Sequence, residues 1–284
     1  MSTSNFVPPA ELAQSLVAVG QKKVSGTFVK LFILGILAGV YIGFAAHLAT
    51  TVATGTFEWF GLKKFLVGAV FSVGLMLVMI PGSELWTGNC LLSVGLLEKK
   101  VKFSGLMKNW TAVYLGNLVG SILLAYMIAA STGLLDGAVG GTAIKIASGK
   151  VSSEIAGMSH NYAYFFRAVG CNWLVCLAVM MALAAKDIGA KVLAIFFPIM
   201  AFVTSGFEHS IANMYFIPAG IFAKGFDKAI AASGKSTEVL GALNWGSMWT
   251  QNILIVTLGN FVGGSILVGG VYWFLYVRGS QATK

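Results

Sequence analysis

Apolar residues along this chain gather into six long runs, roughly 29–53, 65–97, 107–133, 162–185, 191–223 and 247–277. Crossing a bilayer as a helix takes about 20 residues, so the pattern predicts an all-α membrane protein with six transmembrane helices. Several runs are longer than a crossing needs and contain internal breakers, and tilting or breaking absorbs the excess. Ahead of the first run, residues 8–23 read as a short helix. Pro8 and Pro9 open it, Leu12, Leu16 and Val19 form one apolar stripe, and Lys22 and Lys23 close it. The pattern suits a helix lying in the membrane interface, the alternative being a disordered tail. The connections at 134–161 and 224–246 are the longest, rich in Gly, Ser and Ala, and are expected to pack over the mouth of the protein.

Composition narrows the class. Residues are 57% hydrophobic and only 10% charged, against about 25% charged in soluble domains. This excludes an ordinary soluble enzyme, a disordered chain and a nucleic-acid binder. The net charge of +9 sits between apolar runs, where lipid headgroups are the natural partner. With the N-terminus inside, eleven basic residues fall on the inner side: Lys22, Lys23, Lys30, Lys99, Lys100, Lys102, Lys108, Lys186, Lys191, Arg278 and Lys284. Seven fall outside: Lys63, Lys64, Lys145, Lys150, Lys224, Lys228 and Lys235. The positive-inside rule therefore puts both termini in the cytoplasm of a multi-pass protein of the cell (inner) membrane. Residues 1–11 carry no basic side chain, so no cleaved signal peptide is expected. Cys90, Cys171 and Cys176 all lie in apolar runs without a CxxC pair, and neither a disulfide framework nor a zinc site is expected.

Two motifs recur in the same order. Gly82-x-Glu84-x4-Asn89 in the second run matches Gly206-x-Glu208-x4-Asn213 in the fifth. Leu115-Gly116-Asn117-x-Val119-Gly120 in the third matches Leu258-Gly259-Asn260-x-Val262-Gly263 in the sixth. A three-span unit reverses direction when repeated, so residues 29–133 and 162–277 form two inverted three-helix repeats within a single transmembrane domain. The second motif contains a G-x-x-x-G, as does Gly35-x3-Gly39-x3-Gly43 in the first run. These stripes read as close helix packing, with Asn117 and Asn260 as interhelical hydrogen-bonding groups.

The first motif pair sits where a membrane helix is least comfortable. Glu84 follows Pro81-Gly82, and Glu208 follows Thr204-Ser205-Gly206. Irregular backbone at membrane depth survives only when buried in protein or lining a cavity, so helices two and five are predicted to be interrupted. Paired interruptions of this kind mark a substrate site. Each Glu is also expected to cap its half-helix. Of the histidines, His47 and His160 lie near span ends or loops, whereas His209 falls within the second break beside Glu208. It is either a packed histidine with both nitrogens satisfied or a functional one, and ionisable groups at membrane depth are functional by default. An unsolvated small carboxylate costs on the order of tens of kcal/mol in a dry constriction. Protonating it at pH 7 costs roughly 4 kcal/mol, taking a carboxyl of pKa about 3.9 as stand-in. A central histidine can hold such an anion and share its proton, which leaves open whether the ion or the neutral acid leaves the pore.

The stretches Gly82-x-Glu84-x-x-Thr87-Gly-Asn89 and Ser205-Gly206-Phe207-Glu208-His209-Ser210-Ile211-Ala212-Asn213 resemble the signatures of the formate–nitrite transporter family, and the similarity runs along essentially the whole chain. The closest resemblance is to bacterial formate channels. It implies an aquaporin-like protomer in a homopentamer, each protomer with its own pore. It implies a channel or transporter for small monovalent anions or their conjugate acids: formate, alternatively nitrite or hydrosulfide, and monocarboxylates such as acetate and lactate. His209 matches the central histidine and Thr87 the threonine that hydrogen-bonds substrate opposite it. Phe71 and Phe202 match the aromatic constriction, with Leu75, Leu85 and Trp86 nearby; Phe is more usual at position 86, and Trp86 is expected to narrow one slit. Asn172, Glu208 and Asn213 match a polar cluster completed by a lysine near the start of the fourth span. Lys150 is the best match for that lysine, although the stretch from Lys150 to Asn172 is longer than the family pattern. Either the segment around Glu154 to His160 loops out and leaves Lys150 in place, or Lys150 is a plain loop cation. Arg167 then lies one or two turns into the fourth span, facing polar partners or snorkelling.

Two other classes compete. A haem subunit needs paired axial histidines, and only His47 and His209 could supply them. A neutral-solute pore would also suit an inverted repeat, but it gains nothing from Glu208-His209 at its centre. The sequence carries no catalytic constellation, P-loop, cofactor motif or metal-ligand cluster, and no enzymatic activity is predicted.

Overall fold

The apolar runs become helices. A computed structural model describes residues 6–279 apart from Ala156; Lys284, counted in the charge balance, lies outside them. Helix α1 spans Pro9–Ser25 and α2 Phe28–Ala53, the latter started by Thr27, whose hydroxyl accepts the Lys30 amide proton. Then come α3 (Phe60–Gly82), α4 (Trp86–Leu97) and α5 (Phe103–Ser131). The second half contains α6 (Ala138–Lys150), α7 (His160–Ala184), α8 (Ile188–Thr204) and α9 (Ser210–Ala223). Short helices α10 (Asp227–Ser233) and α11 (Thr237–Ala242) lead to α12 (Trp245–Val277). By length and composition α2, α3, α5, α7 and α12 are each able to cross a membrane, and α4, α8 and α9 are shorter apolar helices.

The backbone leaves the helix at the two places the repeated motif marks. Pro81 lies in a widened last turn of α3, Val78–Gly82, and Gly82 takes φ +95°. After α8, Gly206 takes φ +79°. A side chain would be strained at either angle, which is why glycine stands at both. The freed amides find partners on neighbouring helices: Glu84 N–H donates to the Leu34 carbonyl of α2 and Glu208 N–H to the Arg167 carbonyl of α7, both at 3.2 Å. Satisfying the backbone from other helices makes a break tolerable at this depth.

Glycine stripes then let helices touch. A Cβ at Gly116 or Gly120 of α5 would collide with the carbonyls of Phe32 or Ile36 of α2. In the other half, a Cβ at Gly259 or Gly263 of α12 would collide with the carbonyls of Phe165 or Val169 of α7. The contact is of backbone on backbone, as the spacing implied.

One expectation changes. The stripe of α1 faces protein: Leu12 and Leu16 are buried, and Val19 lines a cavity. Its apolar face is used up on the protein's own helices, chiefly α4 and the end of α12. The long connections are largely helical. Helix α6 packs on α9 and α10, with Gly220 against Ala147 and Gly141 against Ala232, and an antiparallel hairpin pairs Glu154 with Ser159 and Ile155 with Met158. Small residues there permit helix contact rather than chain freedom. Large apolar residues such as Ile33, Leu37, Leu115, Val119, Phe197 and Leu254 remain exposed on the single chain, a surface suited to lipid or a neighbouring subunit.

Candidate functional site

Each half of the chain builds the same polar cluster. Lys23 Nζ stands 2.9 Å from Glu84 Oε2, which also accepts from Asn89 Nδ2 at 2.7 Å. Lys150 Nζ stands 2.8 Å from Glu208 Oε2, which accepts from Asn213 Nδ2 at 2.7 Å. Asn89 donates on to Asn109 Oδ1 (2.9 Å) and Asn213 to Asn252 Oδ1 (2.7 Å). The loop closes when Asn109 donates to the Lys23 carbonyl and Asn252 to the Lys150 carbonyl. A carboxylate taken out of water needs both a counter-charge and hydrogen bonds, and both clusters supply them. Lys23, Asn109 and Asn252 escaped the sequence reading. Asn109 and Asn252 carry a signal that could have found them, since each stands eight residues before the asparagine of its L-G-N motif, whereas nothing in the sequence marks Lys23. The hairpin carries the extra residues after Lys150 away from the cluster and leaves the lysine against Glu208.

Neither Glu caps a half-helix. That task falls to the asparagines of the second motif. Asn117 Oδ1 accepts the Trp86 amide at the start of α4, while its Nδ2 donates to the Gly35 and Glu84 carbonyls. Asn260 Oδ1 accepts the Ser210 amide at the start of α9, while its Nδ2 donates to the Ala168 and Glu208 carbonyls. Each amide side chain ties one break to two helices, and the glutamates remain free to hold lysines.

Between the clusters, His209 meets Thr87. His209 Nδ1 accepts the Ala212 amide proton at 3.0 Å, so the neutral ring carries its own proton on Nε2. Nε2 lies 2.8 Å from Thr87 Oγ1. The Thr87 carbonyl is held by Asn172 Nδ2 at 3.2 Å and by the Cys176 thiol at 3.5 Å. Asn172 also donates to the Asn260 carbonyl (2.7 Å), so it ties the start of α4 to α12, and among the described residues it makes no hydrogen bond to Glu208.

Two cavities flank this meeting point. One, of about 360 Å³, is lined by Lys23, Glu84, Asn89, Leu75 and Leu85, and is roofed by Leu16 and Val19 of α1. The other, of about 440 Å³, is lined by Lys150, Glu208, Asn213, Phe71, Phe202 and His209. Phe71 and Phe202 meet edge to face at 5.9 Å, and Phe202 stacks on the His209 ring at 6.0 Å. The septum between the cavities is therefore leucine on one side and aromatic on the other. Trp86 lines neither cavity. Its ring packs edge-on against Trp110 and Tyr114, so its bulk serves helix packing rather than the bore. Among the described residues, no group of three or more His, Cys, Asp or Glu could hold a metal ion.

The family model described as formate/nitrite transporter matches residues 10–274. A probable formate transporter of Methanothermobacter thermautotrophicus is 42% identical, covering 97% of this chain and 99% of its own. The formate channel FocA of Escherichia coli K12 is 35% identical over 95% of this chain and 94% of its own. Among solved structures, a pentameric formate channel with formate bound superposes with a TM-score of 0.76 at 37% identity, covering 88% of this chain and 98% of that one. An ion channel of the same family reaches 0.78 at 28% identity, covering 93% of this chain and 98% of its own.

Proposed function

The chain belongs to the formate/nitrite transporter family, whose similar members are channels and transporters rather than enzymes, and on that premise we propose that it conducts formate past His209. The observation that carries the reading is the 2.8 Å contact of Thr87 Oγ1 with His209 Nε2, placed between two cavities, one lined by Leu183 near the end of α7 and the other by Arg167 near its start. The imidazole N–H donates to the Thr87 oxygen, which leaves the hydroxyl proton free for an anion, and an anion that breaks this contact meets both donors in an otherwise apolar septum. Two half-helices, α4 and α9, begin beside it, each adding partial positive charge at its start.

The permeating anion sheds water in the vestibule, is held by His209 and Thr87, takes there a proton that solution supplies through the vestibule, passes Leu75 and Leu85 or Phe71 and Phe202 as the neutral acid, and returns the proton to solution on the far side. The neutral acid costs roughly 4 kcal/mol at pH 7, well below the tens of kcal/mol of a bare anion. His209 links permeation to protonation through its cap: an imidazolium needs a proton on Nδ1, which means giving up the Ala212 amide. Glu208, Asn213 and Lys150 hold the break that presents His209, and Asn172 holds the one that presents Thr87.

The same reading has six crossings in two inverted repeats, with α3–α4 and α8–α9 as interrupted second and fifth spans. The protomer is aquaporin-like and assembles as a homopentamer in the cell membrane, both termini cytoplasmic. Nitrite and hydrosulfide are small enough to share the route, as are acetate and lactate at greater steric cost. The test is uptake of labelled formate into proteoliposomes. Uptake should be several-fold above empty vesicles, rise as external pH falls, and collapse in His209→Phe and Thr87→Ala. Uptake indifferent to both variants would remove the site. Glycerol swelling in place of formate uptake would favour a neutral-solute pore.

A further inference from the structure

The two vestibules share a scaffold but not a charge. Lys23 and Glu84 are the charged residues lining the cavity under α1, and they balance. The opposite cavity is lined by Lys63, Lys64, Lys150 and Arg167 against Glu208 alone, a net of three positive charges. Lys63 and Lys64 lie over the rings of Phe57 and Phe60 at 5.5 and 5.9 Å, and Lys150 is paired with Glu208. Arg167 differs from all of these. Among the described residues its guanidinium has neither a hydrogen-bond acceptor nor a carboxylate within ion-pair distance, although it stands two turns into apolar α7. Among the described residues its hydrogen bonds are made by the backbone, whose carbonyl receives the Glu208 amide. In the other half the carbonyl doing that work belongs to Leu34, so the scaffold needs no arginine at this place. The charge is an addition to one vestibule.

An arginine in a membrane helix is costly unless paired or facing a polar cavity. Its planar fork offers paired donors that match two oxygens of a carboxylate, which a lysine ammonium cannot do. Lys64 and Lys150 line the same cavity as Arg167, and cations gathered in one cleft raise the local concentration of anions. We propose that Arg167 is an anion-receiving and specificity-determining residue, which pairs its guanidinium with both oxygens of a planar oxyanion in the Lys150 vestibule before the anion reaches His209. Formate and nitrite have that O–X–O shape; hydrosulfide presents one atom and receives charge only. The Lys150 end thus saturates with formate at lower concentration than the α1 end. The inference rests on the reading of the protein as a formate channel.

The experiment measures half-saturating concentrations of formate and hydrosulfide in right-side-out and inverted membrane vesicles carrying the full-length protein. In Arg167→Lys, which keeps charge but loses the fork, the formate value from the Lys150 face should rise about fivefold. Values from the α1 face, and hydrosulfide values from both faces, should stay at wild type. Arg167→Gln should raise both anions from the Lys150 face. In the wild type, benzoate, a carboxylate larger than formate, should compete with formate from the Lys150 face far better than from the other. Unchanged formate half-saturation in both variants, equal shifts for formate and hydrosulfide in Arg167→Lys, or equal benzoate competition from the two faces would each overturn the proposal. Should neither variant assemble, the benzoate comparison alone decides. Wild-type vesicles without formate flux would overturn the functional reading together with this one; wild-type flux independent of Arg167 overturns this one alone.

Discussion

Leu85 and His209 occupy equivalent positions, each the last residue before a half-helix, with nearly equal backbone angles of φ −108°, ψ 123° and φ −112°, ψ 116°. Only His209 caps its helix with its own side chain, through Nδ1 on the Ala212 amide. The two breaks are thus one structural device used twice, and the proposed proton-linked site falls on one copy.

Capping and permeation at His209 are separable by substitution. His209→Asn supplies a cap acceptor of similar reach but no titratable ring. It should unfold within about 0.5 kcal/mol of wild type while His209→Ala loses about 1 kcal/mol. Both should lose the acid-stimulated part of formate uptake. Thermal unfolding in detergent and uptake at pH 5 and 7 check this, and a His209→Asn protein that kept wild-type pH dependence would contradict it.

The two lysine–glutamate pairs differ in burial. Side-chain exposure is 15% and 8% for Lys150 and Glu208, against 29% and 11% for Lys23 and Glu84. Removing one partner of a buried pair strands the other charge. Lys150→Met should therefore cost about 3 kcal/mol, and Lys23→Met about half of that. Adding Glu208→Gln to Lys150→Met should restore part of the loss. Melting temperatures of the three proteins give the comparison.

Glycine at the helix contacts is a matter of backbone distance. Gly39→Ala, Gly120→Ala and Gly263→Ala each push a methyl into a carbonyl of the facing helix. Each should destabilise by about 1–3 kcal/mol as overpacking does. Gly61→Ala, where nothing lies within 4 Å, should melt at or slightly above wild type. Size-exclusion profiles and melting curves distinguish them.

Phe202 stacks on His209 and meets Phe71 edge-on. Phe202→Ala should widen that side of the septum and raise the ratio of lactate to formate uptake several-fold. It should also cost about 3 kcal/mol of stability for the buried ring lost. An unchanged uptake ratio would place the constriction elsewhere.

The local sequence determined where helices run and where they fail. Twenty-odd apolar residues in a row must be helical in lipid, because no water is present to satisfy the backbone. Pro81-Gly82 and Gly206 mark the breaks because proline removes a donor and glycine alone accepts positive φ without strain. Glu84, Glu208 and His209 stood out as ionisable groups inside apolar runs. What these residues touch was decided by the tertiary structure. Lys23 sits in an ordinary Lys22-Lys23 helix end, and nothing near it in sequence announces Glu84. The asparagines, rather than the glutamates, cap the half-helices because α5 and α12 bring them to the freed amides. Trp86 turned to Trp110 and Tyr114, and Arg167 to an open vestibule, for the same reason. Helix formation depends on neighbours a turn away, whereas charge pairing, capping across helices and the lining of a cavity depend on residues that meet only when the helices pack.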